Sequence, residues 1–492
     1  MNLNFKLLTG LLNNPHGAIM VFSSLIFLFL FLPGVKLAHF VFFKRIKLQN
    51  FILMLFSLSF YYWGEKDHIF IMLACILINY LCGLFIEQSS QPKYRRLYLL
   101  TSIVASLSLL MYFKYFNFFL SSVNNLFNLD VAGIGEIALP LGISFYTFHA
   151  LSYVIDVYWN KVKAERNLIT FICYVSFFPQ LVAGPIVRYS DIRHSFYCRY
   201  ITRAGLRNGI LRFCFGLGKK VLIANEVARL ADYAFSLPHN ELTFAIAWLG
   251  AIAYALQIYF DFSGYSDMAI GLGLMFGFKY KENFKFPYNA LSIQEFWRKW
   301  HISLSSWFRD YVYIPLGGSH ASRIRTYANL IIIFGLCGLW HGANYTFILW
   351  GLFHGLFLIL ERTKFGRFME QLPKFMRHGY VLLVVTIGWV FFREEHLGDA
   401  FLFIKMMLIP ADFSIKALGT CLNYLVITSA CLGILLSLGA TKWARDFLII
   451  NRNRKLIVAY KQLTIILALS IFLVSIVFLS TNSYNPFLYF KF

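Results

Sequence analysis

The chain has 492 residues, of which 59% are hydrophobic, 19% aromatic and 14% charged. Soluble domains are nearer about 45–50% apolar and about 25% charged, so the composition excludes a soluble enzyme and points to an all-α polytopic membrane protein. The net charge of +22 invites a nucleic-acid reading, but the basic residues are spread through short loops between apolar runs, the pattern of the positive-inside rule.

In chain order, residues 1–19, with Asn13-Asn14-Pro15, read as a lead-in to a single transmembrane domain over 20–492. Phe22 to Leu32 resembles a signal-peptide core, yet no small-x-small cleavage site follows, so it reads as a retained first span. Apolar runs fall at 20–42, 51–63, 68–86, 97–120, 137–158, 205–224, 243–262, 327–341, 343–361, 380–392, 420–438 and 463–481. At about 20 residues per crossing, they predict roughly 11–13 transmembrane helices. A shorter run at 169–184 ends in Phe177-Phe178-Pro179-Gln180-Leu181-Val182-Ala183-Gly184-Pro185. It reads as a re-entrant segment or half-helix, tolerated only where protein or a wet cavity satisfies its backbone.

The loops at 43–50, 87–96, 159–204, 279–326, 362–379 and 439–462 carry most of the Lys and Arg, as in Lys44-Arg45-Ile46-Lys47 and Arg452-Asn453-Arg454-Lys455. The intervening loops hold Asp130, Glu136, Asp232, Glu394, Glu395 and Asp399 instead. The sets alternate, which predicts cytoplasmic basic loops and both termini outside. The runs at 327–341 and 343–361 must then enter and return, with Trp340-His341-Gly342-Ala343-Asn344 at the turn. His341 is approachable from outside, while His301 belongs to a cytoplasmic segment.

These two histidines are the main functional candidates, because a titratable group at membrane depth costs free energy unless it is partnered or faces a wet cavity. Residues 294–311 predict one amphipathic helix with Trp297, Trp300, His301, Leu304 and Phe308 on a shared face. It is either an interfacial anchor or a helix folded into the bundle that aims His301 at a reaction chamber. His341, followed by Gly342 and Ala343, suits tight helix packing or close passage of a substrate. Asp156, Asp261 and Asp267 lie within apolar sequence; cation binding and proton relay are open to the Asp261–Asp267 stretch, with capping and internal hydrogen bonding placed first. The eight cysteines are scattered without C-x-x-C, so no metal site or disulfide framework is indicated, and Cys337, one turn before His341, reads as a small packing residue. No phosphate-binding loop, nucleophile elbow or H-E-x-x-H occurs. Histidine without its own serine nucleophile suggests general-base chemistry on another molecule's hydroxyl.

Several blocks together carry a resemblance. They are Leu139-Pro140-Leu141-Gly142-Ile143-Ser144-Phe145-Tyr146-Thr147-Phe148, Phe177 to Tyr189, Tyr259-Phe260-Asp261-Phe262-Ser263-Gly264-Tyr265-Ser266-Asp267, Trp297 to Ser319, Trp340-His341-Gly342, Phe392-Arg393 and Tyr484-Asn485-Pro486-Phe487-Leu488-Tyr489-Phe490-Lys491-Phe492. On these the chain, from Met20 onward, resembles the membrane-bound O-acyltransferase superfamily, in the branch of the alginate O-acetylation membrane subunit. Relatives begin near Met20, so residues 1–19 read as an extension or as a misplaced start.

The resemblance implies a bundle around a central tunnel, with a signature core at about 139–360. It implies that His341 is catalytic and that His301 is the second signature residue, polarising the carbonyl or holding the thioester. No role falls to His149, which stands where relatives carry Gln. Also implied are a cytoplasmic thioester donor, acetyl-CoA, with no bound cofactor, and a periplasmic hydrolase-like partner that passes the acetyl group to a polysaccharide. Arg298, Lys299 and Arg309 are candidates for the CoA phosphates, on charge and side alone. The implied location is the bacterial inner membrane. D-alanyl transfer to teichoic acid and peptidoglycan O-acetylation are the alternatives within the superfamily; a polysaccharide flippase or a synthase scaffold are the alternatives outside it.

Overall fold

Helices account for nearly all the regular structure. In the computed structural model, which describes residues 20–129, 137–319, 322–443, 446, 454–481, 484–486 and 488, no strand occurs among the described residues. The lead-in at 1–19, Asp130, Glu136, Arg452, Asn453, Phe487 and 489–492 lie outside them.

Six helical segments among the described residues are long and apolar enough to cross a membrane, or seven if the bent pair Tyr345–Leu360 and Lys364–Gln371 is one span. The chain is thus a multi-pass membrane protein. The difference from the dozen runs in the sequence has two causes. Ile46–Gln88 contains two 20-residue helices, Ile46–Glu65 and Ile69–Gln88, joined at Lys66 with φ +42°; each alone is about 30 Å long, one bilayer core. Other runs form shorter helices: Phe27–Val41, the 16-residue Ile143–Tyr158 and the 14-residue Tyr424–Ser437.

The chain divides into two compact units, one comprising 1–213 and 268–280, the other 214–267 and 281–492. In the first, buried polar groups bind helix to helix. Asn79 Nδ2 donates to Ser106 Oγ at 2.8 Å, and Ser102 Oγ donates to Asn79 Oδ1 at 2.7 Å. The short run reads in the structure as a nine-residue helix, Leu168–Ser176, followed by the single turn Phe178–Leu181, both largely buried. Its freed backbone is satisfied by protein: Gln180 Nε2 donates to Tyr174 O at 2.6 Å, and Tyr174 Oη approaches the carbonyls of His149 and Val187 at 3.1 and 3.0 Å. His149 Nε2 accepts from Val187 N at 3.2 Å. Asp156 receives Ser190 Oγ at 3.2 Å, with Lys161 3.8 Å away.

In the second unit, Arg323–His341 and Tyr345–Leu360 form a tight hairpin. Small residues set the closeness of approach. A Cβ on Gly351 would collide with the Phe334 carbonyl oxygen, and one on Gly338 with that of Phe347. Asn344 starts the return helix by accepting from Thr346 N at 3.1 Å, a side-chain N-cap.

Asp261, on the Phe244–Met275 helix, is explained by internal pairing. Its Oδ1 lies 2.6 Å from Lys220 Nζ, both side chains 2% exposed, and its Oδ2 accepts from Leu488 N at 3.0 Å. Lys220 also donates to Pro486 O, Asn225 Nδ2 to Asn485 Oδ1 at 3.1 Å, and Tyr484 Oη to Asp232. The terminal Tyr484-Asn485-Pro486 block is thereby tied to a buried ion pair. Asp267 pairs with Lys219 at 2.6 Å.

Candidate active site

His341 is the last residue of its helix, where Gly342 breaks the helical path with extended backbone. The imidazole is buried within an aromatic enclosure: Trp340 at 4.8 Å, Trp350 at 5.0 Å and Phe392 at 5.2 Å between ring centroids, all nearly edge-to-face. Gly342 is required here, since a Cβ at that position would strike the Phe347 ring. Cys337 is buried one turn earlier on the same helix.

The segment carrying His301 differs from the single amphipathic helix expected over 294–311. It is two seven-residue helices, Ile293–Lys299 and Ile302–Phe308, broken at Trp300–His301. His301 sits in the left-handed region at φ +39°, ψ 54°, a conformation in which histidine is enriched over most residues and which marks sites where the surroundings hold the backbone. What holds it is a short pairing with the preceding loop: Lys285 N donates to Lys299 O at 3.0 Å, and Ile302 N to Asn283 O at 2.9 Å. Glu361 anchors the first helix, accepting from Ile293 N at 2.5 Å and Gln294 N at 2.9 Å, as a carboxylate does at a helix N-terminus. Trp297, Trp300, His301, Leu304 and Phe308 are all buried, so the segment folds into the protein and does not lie on it as an interfacial anchor.

His301 is wholly buried, and burial pushes its imidazole down to about 3, so it is neutral across the physiological range. Its ring meets Phe262 at 4.6 Å and Trp340 at 6.0 Å. Its Nδ1 lies 3.3 Å from Asn283 Oδ1. The two histidines highlighted by the sequence are therefore brought to the same indole, Trp340, although 40 residues separate them.

Three features escaped the sequence reading. Asn283, within Glu282-Asn283-Phe284, carries no site signal in the sequence. His354, fully buried, packs on Trp297 and Trp350 at 5.3 Å each; its spacing of four from Trp350 within an apolar helix was the available signal. Trp389 joins the enclosure, 5.8 Å from Trp350 and 4.8 Å from Trp300, with its Nε1 donating to Tyr288 Oη at 3.1 Å.

The basic candidates sit apart from this enclosure's wall. Arg298 is exposed in the last turn of Ile293–Lys299. Lys299 Nζ binds Asn289 O at 2.9 Å and Glu295 Oε1 at 2.7 Å, and the exposed Arg309 pairs with Asp310 at 2.6 Å. Among the described residues, no group of three His, Cys, Asp or Glu is placed to hold a metal ion. The arrangement brings two buried imidazoles into aromatic surroundings, His301 being neutral, and an imidazole so placed is suited to moving a proton during acyl transfer.

Comparison with known proteins accords with this chemistry. Residues 55–392, more than half the chain, match the sequence profile of MBOAT, the membrane-bound O-acyltransferase family. The chain is 41% identical to the probable alginate O-acetylase AlgI of Pseudomonas putida, over 96% of this chain and 100% of that protein. It is 43% identical to the probable alginate O-acetylase AlgI of Azotobacter vinelandii, over 81% and 80% respectively. The peptidoglycan O-acetyltransferase of Helicobacter pylori is 36% identical, over 79% of this chain and 80% of its own. The chain belongs to the membrane-bound O-acyltransferase family and is a multi-pass membrane acyltransferase.

Proposed function

We propose that the chain moves an acetyl group from a cytoplasmic thioester, acetyl-CoA, across the bacterial inner membrane for O-acetylation of a cell-surface polysaccharide of the alginate type. The names of the relatives support acetyl as the group and alginate as the acceptor class. The observation that carries the reading is the convergence of buried His341 and His301 on Trp340.

In this reading His341 is the general base. The acceptor hydroxyl oxygen attacks the thioester carbonyl carbon, a C–O ester bond forms, and the C–S bond breaks. His341 takes the hydroxyl proton and returns it to the departing sulfur, which leaves as the CoA thiol. Proton transfer of this kind is worth about 10²–10⁴-fold. His301 faces the same reacting groups, and the aromatic lining of the tunnel limits hydrolysis by excluding water. The hydroxyl is presented from outside by a periplasmic hydrolase-like partner, which completes transfer to the polysaccharide. Arg298, together with Lys299 and Arg309, would meet the CoA phosphates by charge-assisted hydrogen bonds. Loop charges support periplasmic termini.

The test is donor choice in membranes of the native host. Supplied side by side with labelled acetyl-CoA and a labelled D-alanyl carrier-protein thioester, the membranes should move label from acetyl-CoA into polysaccharide. Label moving only from the carrier thioester would replace the reading with D-alanyl transfer. Label entering peptidoglycan would keep the donor and change the acceptor. Polysaccharide export without any thioester consumption would replace it with transport.

A further inference from the structure

We infer that Asn283 is a positioning residue that locks His301 as the Nδ1–H tautomer and presents a bare Nε2 to the reacting groups, so that His301 serves the transfer as a hydrogen-bond acceptor. This rests on the reading of His301 and His341 as the reaction's histidines.

The assignment follows from which atoms are able to donate. The two ends of an asparagine amide are distinguished by their partners. One end of Asn283 lies 3.1 Å from the backbone N of Ser303. A backbone N–H donates and never accepts, so that end is the oxygen. Ser303 Oγ approaches the same oxygen at 2.9 Å. His301 Nδ1 faces it at 3.3 Å. A bare Nδ1 would set lone pair against lone pair, whereas an Nδ1–H is bonded. Ser303 Oγ, 3.4 Å from Nδ1, accepts that same hydrogen equally well. A neutral imidazole carries one N–H, so Nε2 is bare.

Backbone and rings make the lock rigid. Ile302 N donates to Asn283 O at 2.9 Å, so Asn283 is fixed beside the ring through both main chain and side chain. Phe262 stands edge-on to the imidazole at 87°, and Phe284 lies nearly parallel to it at 25°. Among the described residues Nε2 is buried without a hydrogen-bond partner; a buried acceptor left so is costly, and an incoming donor satisfies it. A lone pair cannot donate to the thioester carbonyl oxygen. The group that meets Nε2 is a hydrogen donor other than the hydroxyl whose proton His341 takes, and polarisation of the carbonyl falls to other groups.

The test reads the tautomer directly, by nitrogen-15 spectra of the histidine-labelled full-length protein in lipid nanodiscs, with the His301 signals identified by their loss in His301→Gln. Wild type is expected to show a protonated Nδ1 and an unprotonated Nε2. Asn283→Ala should give mixed tautomers and lower turnover on the order of 10²-fold with the donor KM held. Asn283→Asp, which keeps an acceptor oxygen at the same place, should restore the single tautomer and recover at least about tenfold of that loss. A protonated Nε2 in wild type overturns the inference, as does an Asn283→Ala protein with wild-type tautomer and turnover. If Asn283→Ala fails to fold, the wild-type and Asn283→Asp spectra still decide. The inferred tautomer in a protein that transfers no acyl group would support the lock and overturn the reaction it was read into.

Discussion

The His301 imidazole and the Trp340 indole stand 6.0 Å apart between centroids, with their planes inclined at 62°. Trp340 meets His341 on the same enclosure at 4.8 Å, so one indole spaces both imidazoles. Its removal should displace them relative to each other even if the helices hold. Trp340→Ala is expected to lower kcat by about 10²-fold, the scale of a displacement of about 1 Å, while Trp340→Phe keeps most of the rate. Steady-state turnover of the purified variants checks this, and equal rates in both would remove Trp340 from the account.

The hairpin that carries His341 depends on glycine contact. Gly351→Ala would drive a methyl group into the Phe334 carbonyl, and overpacking of this kind costs about 1–3 kcal/mol. A lower thermal midpoint in detergent, with Gly379→Ala near wild type because nothing lies within 4 Å of its added Cβ, is the expected result.

The Lys220–Asp261 pair is buried on both sides. Losing one partner strands a charge and costs about 3–5 kcal/mol, while replacing both with apolar groups costs far less. Lys220→Met and Asp261→Asn should therefore each lower stability more than the double variant Lys220→Met/Asp261→Leu. Thermal unfolding of the three proteins measures it.

Glu394 lies just beyond the Lys374–Arg393 helix. Burial first, and Asp399 second, raise its carboxyl from 4.5 to about 7, against the opposing pull of Arg393. A carboxyl raised on folding stabilises the folded state while protonated, so its contribution is complete below about 4.5 and declines as pH rises through about 7. Wild type should lose stability over that window relative to Glu394→Gln. Parallel thermal midpoints of the two proteins across the window would refute it.

The sequence made the membrane bundle legible because lipid demands long apolar helices, and it made His301 and His341 conspicuous because titratable groups are rare in such company. The break at Trp300–His301 was not legible: no Gly or Pro marks it, and the loop residues 283–285 impose it from outside the segment. Asn283 carries no signal in the sequence because its partners, His301 and Ser303, lie 18 and 20 residues away. Asp261 was correctly placed among internal hydrogen bonds, but its partner Lys220 and the backbone of Leu488 become neighbours only through tertiary packing. The run at 205–224 looked like a span, yet it carries that same buried lysine in its final π-helical turn, Lys219–Ala224.

Thioester turnover reads the role proposed for His341 in acyl transfer. Protein purified with labelled acetyl-CoA, wild type beside His341→Ala at equal folded amounts, is followed for free CoA and for label. Slow CoA release is expected from wild type, falling on the order of 10²-fold or more in His341→Ala. Equal release from both proteins would contradict that role.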